Sequence, residues 1–266
     1  MFEQSQIESL CMGCFTKHEK AMSVCPICGY DEDTKELPLH LLRPRTVLNG
    51  KYVLGRVLGE GGFGITYIGW DTNLDMKVAI KEYYPAGCVS RETTTTLTVQ
   101  QFTGAQGEFF LKSRDKFINE AKTLAKFFSL PGIVTVKDYF MENATAYIVM
   151  EYIDGETLKD YLTKRGGRLP ANQILSMMKP IMTSLAEIHE TGLIHRDIAP
   201  DNIMITKSGH LKLLDFGAAR DFTDSGNKSL SIMLKPGYAA RSSTAQKVYK
   251  VRGLTFMPCR QLCTGA

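Results

Sequence analysis

Two short acidic stretches carry the most chemically loaded spacing in the chain. His195-Arg196-Asp197-Ile198-Ala199-Pro200-Asp201-Asn202 sets an Asp five residues before an Asn, and thirteen residues after Asn202 comes Asp215-Phe216-Gly217. A carboxylate able to take or orient a hydroxyl proton, followed by an amide and a second carboxylate able to hold metal ions, is equipment for phosphoryl transfer. In that chemistry a protein does little covalent work. It holds Mg²⁺ on the phosphates and orients the attacking hydroxyl. On this reading Asp197 serves the hydroxyl, and Asn202 and Asp215 serve the metal. Either stretch alone reads equally well as an acidic turn capping an element; the two in this order and spacing favour the chemistry.

Such residues need elements to hold them and a second set of groups for the phosphates. Tyr52 to Leu58 has strand composition and runs into Gly59-Glu60-Gly61-Gly62-Phe63-Gly64, after which Ile65 to Trp70 is strand-forming again. A dinucleotide-binding loop with the same glycines opens a helix, whereas strand-favouring residues on both sides make a hairpin whose glycines let backbone approach phosphates. Val78-Ala79-Ile80-Lys81 is a third strand ending in a cation. Residues 115–127 have helical periodicity, with Phe117, Ala121 and Leu124 on one face; Glu120 on this helix is placed either to pair with Lys81 or, as a solvated residue, with Lys116. The connection from Glu82 to Lys112 is long enough to add a hairpin. Ala146 to Met150 is an apolar strand, and Leu158 to Leu162 begins a helix that Gly166-Gly167 stops. Ala171 to Thr191 places Ile174, Leu175, Met178, Ile181, Met182, Leu185 and Ile188 at helical spacing around Pro180. Two strands, Ile203–Thr206 and Leu211–Leu214, flank a turn just before Asp215. His189 and His210 read as helix-end and turn residues.

The N-terminus has a separate pattern. Cys11-x-x-Cys14 and Cys25-x-x-Cys28, the latter followed by Gly29, form two thiolate knuckles. Four thiolates suit a tetrahedral Zn²⁺ with no open coordination position, and the spacing resembles a zinc ribbon. An iron site uses similar knuckles, and a redox dithiol would need a βαβ context that is missing here. His18 lies between the knuckles as a surplus loop residue. Seven cysteines, an odd number with four in this arrangement, exclude a secreted disulfide framework. A net charge of +4 from nearly balanced acidic and basic residues implies no nucleic-acid footprint. No leader-like start or apolar run of membrane-spanning length is present, so the expectation is a cytoplasmic protein. Asp31 to Thr46, with Pro38 and Pro44, reads as an extended connector.

Taken together, the glycine hairpin, Val78-Ala79-Ile80-Lys81, the 195–202 stretch and Asp215-Phe216-Gly217 resemble eukaryotic-type protein kinases, and more narrowly bacterial zinc-ribbon-linked serine/threonine kinases. The resemblance implies an α+β, protein-kinase-like two-lobe fold: a small antiparallel β lobe and an incomplete helical lobe, preceded by a small four-cysteine zinc ribbon. It implies ATP and Mg²⁺ as cofactors, structural Zn²⁺, and protein substrates, with the ribbon available to a protein partner. It makes Lys81 the ligand of the α and β phosphates, held by Glu120, and Asp197 the catalytic base. The ATP site would draw on Leu58, Gly59, Glu60, Gly61, Gly62, Phe63, Gly64, Thr66, Ala79, Lys81, Met150, Glu151, Ile153 and Met204. Glu151 and Ile153 would offer backbone to the adenine edge, and Met150 would guard the rear of the pocket. His195 would be a packing residue of the catalytic motif.

Three departures qualify it. Thr66 stands where the family usually has valine, and Ala199 where its serine/threonine members place a lysine that stabilises the moving phosphoryl group. After Lys235-Pro236-Gly237-Tyr238-Ala239, Ala240 and Arg241 replace the expected Pro and Glu, and residues 240–266 hold five basic residues and no acidic one. The expected organisation is a ribbon over 1–30, a linker over 31–46, a kinase domain over 47–239 and an aberrant tail over 240–266, from a frame change or artificial end or, alternatively, a genuine tail that docks on something. Thr223, Ser225, Ser229 and Ser231 are phosphorylation candidates in an activation loop. A rival reading, motivated by Ala199 and the incomplete lobe, is a nucleotide-binding pseudokinase or scaffold.

Overall fold

The computed structural model describes residues 7–19, 23–33, 37–92, 96–195, 197–214 and the backbone of a strand at 220–221. Asp215, Phe216 and Gly217, the phosphorylation candidates and the 240–266 tail lie outside the described residues. The chain divides into two compact units, Met1–Lys126 with Val136–Tyr152, and Phe127–Thr135 with Ile153–Ala266.

The first unit is built on a six-stranded antiparallel sheet. Its strands are β1 (Val47–Leu48), β2 (Tyr52–Gly61), β3 (Gly64–Asp71), β4 (Met76–Tyr83), β7 (Val136–Glu142) and β8 (Thr145–Glu151), in the order β1-β2-β3-β4-β8-β7. The β3–β4 register is regular, pairing Thr66 with Lys81, Ile68 with Ala79 and Trp70 with Lys77. Directly paired residues share a face and successive residues alternate. One face therefore carries Thr66, Ile68, Trp70, Lys77, Ala79, Lys81 and Tyr83, and across β8 also Met150 and Ile148. The other carries Tyr67, Val78, Ile80, Glu82, Tyr147 and Val149.

Helix α1 (Ala105–Leu124) packs on the first face through Phe110 and Phe117, whose rings lie 5.5 and 5.2 Å from that of Tyr83. It begins ten residues before the periodic stretch at 115–127, because Gly104, at φ 72, supplies the turn that starts it. The N-terminal cysteine module covers another part of the same face: Leu10, Met12 and Phe15 form one buried cluster with Val53 and Ile68, and Phe15 stacks on Trp70 at 5.7 Å. The opposite face is covered by the 37–46 segment and, in the connection after β4, by Arg91, which pairs with Glu82 on that face. The expected extended connector forms a strap: Leu41 and Leu42 are buried, the Leu42 N–H donates to the Tyr67 hydroxyl (3.1 Å), and Arg45 and Thr46 exchange backbone hydrogen bonds with Leu54. The 84–104 connection contains the anticipated hairpin, β5 (Val89–Ser90) against β6 (Gln100–Gln101).

The second unit contains β9 (Gly155–Thr157), α2 (Leu158–Thr163), α3 (Ala171–Glu190), β10 (Leu193–Ile194), β11 (Ile203–Thr206), β12 (Leu211–Leu213) and β13 (Arg220–Asp221). β11 is paired on both sides, in the order β12-β11-β9, and β10 pairs with β13. Thr157 caps α2 by accepting from the Asp160 N–H at 3.0 Å, and Gly166 and Gly167, both at positive φ, end the turn that follows. Helix α3 buries Ile174, Ile181, Ser184, Leu185 and Ile188. Of the apolar residues noted at helical spacing, Leu175 (57% exposed) and Met182 (37%) face outward. The stripe through 174, 181, 185 and 188 is narrower than the apolar content suggests, since residues one position on are rotated by about 100°. Gly132 lies tight against this helix: a Cβ there would sit 2.5 Å from the Pro180 carbonyl oxygen.

Candidate functional site

The glycine hairpin is formed by the ends of β2 and β3, with Gly61 paired to Gly64 around Gly62 and Phe63. The glycines serve different needs. A Cβ on Gly64 would be 2.2 Å from the Glu82 carbonyl oxygen, so packing against β4 demands glycine there. A Cβ on Gly59 or Gly61 meets nothing within 4 Å among the described residues, and neither residue has a positive φ. Packing against the described residues does not require these two glycines; close approach of a ligand to the backbone would. The tip is tied down by Tyr84, whose N–H donates to the Phe63 carbonyl at 3.1 Å, and by His40 of the strap, 3.2 Å from Glu60.

Lys81 sits on β4 at 8% exposure, its ammonium 5.8 Å from the Phe117 ring centroid. Glu120, half-buried, is one helical turn beyond Phe117 on α1, the spacing that puts two side chains on one face. Thr66, Ala79 and Met150 are half-buried on the face that carries Lys81, and Leu58 and Glu60 are exposed. Glu151, at the end of β8, is half-buried.

In the second unit the 195–202 stretch is held by its own polar groups. The His195 Nδ1 accepts from the Asp197 N–H (3.2 Å), and Nε2 lies 2.9 Å from the Leu214 carbonyl oxygen. A carbonyl only accepts, so the proton is on Nε2 and the imidazole is neutral with its tautomer fixed. With His195 at 0% exposure, this ring ties the residue before Asp215 to the loop of Asp197. Asn202 donates through Nδ2 to both the backbone oxygen and Oδ2 of Asp197, each at 2.8 Å. The Asn202 carbonyl accepts from Leu214 N–H, also at 2.8 Å. The two bonds from its NH₂ fix the orientation of the Asn202 amide against Asp197. Ala199 is fully buried, and Pro200 opens the short 3₁₀ turn that carries Asp201 and Asn202. Ile153 is buried and Met204 half-buried on the paired strand β11.

The four cysteines converge. Their sulfurs lie within 4.8 Å of one another, with Cys11–Cys28 at 3.7 Å and Cys14–Cys25 at 3.8 Å. A tetrahedron with metal–sulfur bonds of about 2.3 Å has edges of about 3.8 Å, so the donor set fits zinc in kind and size. The Gly13 N–H donates to the Cys11 sulfur (3.2 Å), and small bridges, Leu10 with Lys17 and Val24 with Asp31, close each knuckle's hairpin. Burial opposes ionisation of both Cys11 and Cys25. It pushes Cys11 up to about 12, whereas at Cys25 the hydrogen bonds from the Cys28 and Ile27 N–H groups outweigh it and bring the thiol down to about 6. His18 is half-buried rather than a free loop residue, its Nε2 3.4 Å from the Cys25 sulfur.

Other structural residues gave no signal in the sequence. Arg91 and Glu82 form an ion pair with both side chains at 0% exposure, and Glu82 also accepts from the hydroxyls of Tyr147 (2.7 Å) and Tyr67 (3.2 Å). A single arginine in a polar stretch of a long connection has no periodicity or spacing to mark it.

The arrangement has known counterparts. Residues 52–252 match the protein kinase domain family. The serine/threonine-protein kinase PrkC of Bacillus subtilis is 35% identical over 172 residues, covering 65% of this chain and 23% of PrkC. The serine/threonine-protein kinase PknA of Mycobacterium tuberculosis is 34% identical over 183 residues, covering 67% of this chain and 37% of PknA. A solved structure described as the apo form of PpkA-294 superposes with a TM-score of 0.61 at 34% identity, over 67% of this chain and 62% of that one. The chain thus spans 23% to 37% of the length of these curated relatives. The family match takes in the glycine hairpin, Lys81, Glu120, the Asp197–Asn202 loop and the strand pair leading to Asp215, and on that ground the chain belongs to the protein kinase family.

Proposed function

We propose that the chain transfers the γ-phosphoryl group of ATP to serine and threonine hydroxyls of protein substrates. The observation that supports this best is the Asp197 loop, where the tautomer-fixed His195 accepts from the Asp197 backbone N–H and Asn202 donates to both the Asp197 backbone oxygen and its carboxylate, so that backbone and side chain are each fixed. Preorganisation of this kind is what positional catalysis needs. Asp197 would accept the hydrogen bond of the incoming hydroxyl and orient its oxygen towards the phosphorus. Lys81 would bind the α and β phosphates, with Glu120 fixing it, and the exposed backbone at Gly59 and Gly61 would close over them. The amide oxygen of Asn202 and the carboxylate of Asp215 would hold magnesium, which when bound neutralises charge on the phosphate oxygens. Thr66, Ala79, Met150, Leu58 and Met204 would line the adenine end, with backbone of Glu151 and Ile153 on its polar edge. The cysteine cluster would hold zinc as a structural ion, and reduced thiols and ATP together fit a cytoplasmic setting.

Phosphate incorporation from Mg-ATP into protein by the zinc-loaded chain, lost in Asp197→Asn, is the expected result. One specific observation favours a second reading, a nucleotide-binding scaffold: Ala199 is fully buried where a cation would assist transfer. Stabilisation of the chain by Mg-ATP with no incorporation would establish the scaffold and refute the transferase.

A further inference from the structure

The cysteine module is not a bead beside the sheet. It is seated on β2, the strand that becomes the glycine hairpin. The β2–β3 register shifts between Leu54 and Val57, leaving Gly55 and Arg56 out of the ladder. A bulged strand has donors with no cross-strand partner. Here the Arg56 N–H donates to the Met12 carbonyl at 2.8 Å, and its Nε donates to the Gly13 carbonyl at 3.0 Å. Both acceptors lie inside the knuckle between Cys11 and Cys14. The approach is so close that a Cβ on Gly55 would fall 2.3 Å from the Met12 oxygen and 3.0 Å from the Phe15 ring. Met12 (0% exposed) and Phe15 (3%) have their cover in Val53, Ile68 and Trp70 of the sheet. The module's largest buried side chains therefore face β2 and β3, which leaves the metal as the main organiser of the knuckle itself.

A second strut runs through the strap. Arg45 donates to the Ile7 carbonyl (2.7 Å) and the Leu10 carbonyl (3.3 Å) and pairs with Glu32 (2.8 Å), while its N–H donates to Leu54 of β2. Five residues earlier in the same strap, His40 reaches Glu60 at the hairpin tip. The hairpin is thus held at its base by the knuckle and at its tip by the strap, and both supports meet at Arg45.

We propose that the cysteine module is an intramolecular brace for the phosphate hairpin, and that occupancy of Cys11, Cys14, Cys25 and Cys28 by a thiophilic divalent ion sets the chain's affinity for nucleotide. The nucleotide half of this rests on the transferase reading above; the brace itself does not. With the ion bound, the Met12 and Gly13 carbonyls are fixed where Arg56 needs them, and the hairpin is ordered before phosphate arrives. Without it the knuckle loses its fold, the Arg56 donors are released, and ordering the hairpin is charged against nucleotide binding.

The test uses the full chain in three forms: zinc-loaded wild type, Cys25→Ser, and Gly55→Val. The valine is acceptable to a strand but displaces the knuckle while leaving all four ligands in place. Hydrogen exchange is followed across residues 53–66, and a fluorescent ADP analogue is titrated in excess Mg²⁺. Faster exchange at Arg56 and through the hairpin in both variants, with nucleotide bound about fivefold or more weakly, is expected, this being the lower part of the usual range of coupling between sites. Unchanged exchange in a Cys25→Ser chain that has lost its zinc overturns the brace. Faster exchange with unchanged nucleotide affinity overturns the control of affinity. Wild type that binds no nucleotide refutes the transferase reading, and with it the affinity half, while the exchange result still decides the brace.

Discussion

Replacing Arg91 by methionine isolates the most consequential buried charge among the described residues. Arg91 makes two hydrogen bonds to Glu82, Nη1 to Oε1 at 2.5 Å and Nη2 to Oε2 at 2.9 Å, and its Nε and Nη2 both donate to the His40 carbonyl. Exposed ion pairs contribute about 0–1 kcal/mol. This one has both side chains at 0% exposure, so the relevant cost is that of leaving a carboxylate buried without its counter-charge, about 3–5 kcal/mol. The hydroxyls of Tyr67 and Tyr147 still donate to Glu82 in the variant, which places the loss at the lower end, about 3 kcal/mol. For a domain of this size each kcal/mol moves the melting midpoint by about 2–4 °C, so a fall of about 6–12 °C is expected. Thermal melts and urea titrations of Arg91→Met, Glu82→Gln and the double variant complete a cycle in which the double loses less than the sum of the singles. A loss below about 1 kcal/mol in Arg91→Met would refute the reasoning, because it would mean that water reaches the pair or that the strap and sheet part easily.

Gly155→Ala should destabilise the second unit by about 1–3 kcal/mol in a urea titration, since the new Cβ would lie 2.0 Å from the Ile205 backbone oxygen in the β9–β11 pair. Burial lowers the pKa of His189, whose Nε2 has no hydrogen-bond partner among the described residues, below its ordinary 6.5. A depressed folded-state pKa contributes stability that is present above about 6.5 and lost as pH falls through the folded value. Wild type should therefore lose more stability between pH 7 and pH 5 than His189→Leu, and equal slopes would rule the site out as a contributor. Removing Asn202's two bonds to Asp197 by Asn202→Leu should abolish phosphate incorporation while ADP affinity, measured without added metal, changes less than about threefold.

How far the sequence alone reached depended on whether a residue's role was local. The hairpin around Gly59–Gly64, the strand through Val78–Lys81 and the turn before Asp215 follow from composition and spacing within a dozen residues, and β2, β3, β4, β11 and β12 overlap those patterns, although β2 runs past Leu58 to Gly61 and β4 past Lys81 to Tyr83. The cysteine cluster was equally legible, because two-residue spacings fix where sulfurs can point. What was not legible is what packs on what. Leu41 and Leu42 sit in a proline-flanked segment without periodicity, yet both are buried, since a strap bonded to Leu54 and Tyr67 needs only single apolar contacts. Leu175 and Met182 looked like core because an apolar residue one position off the buried stripe is indistinguishable by count. Gly55 reads as an ordinary strand glycine; only the 2.3 Å separation of its would-be Cβ from Met12 explains it.

The two faces of the first sheet give the N-terminal segment its meaning. Regular β3–β4 pairing puts Ile68 and Trp70 on the face of Thr66, Ala79 and Lys81, so the module that covers Ile68 and Trp70 extends the surface that would receive nucleotide. Tyr152, directly after the β8 residue Glu151, packs against the same cluster, and Lys77 lies 6.0 Å from its ring centroid. A module evolved only to bind a separate partner would have no need to bury Met12 and Phe15 in this sheet, nor to shape Gly55 to its own backbone. Its polar bonds go to Arg56 and Arg45, and the strap between them carries His40 to Glu60. These contacts all converge on one hairpin, and a hairpin held from outside in this way would bind phosphate at a lower ordering cost than one held by its own two strands.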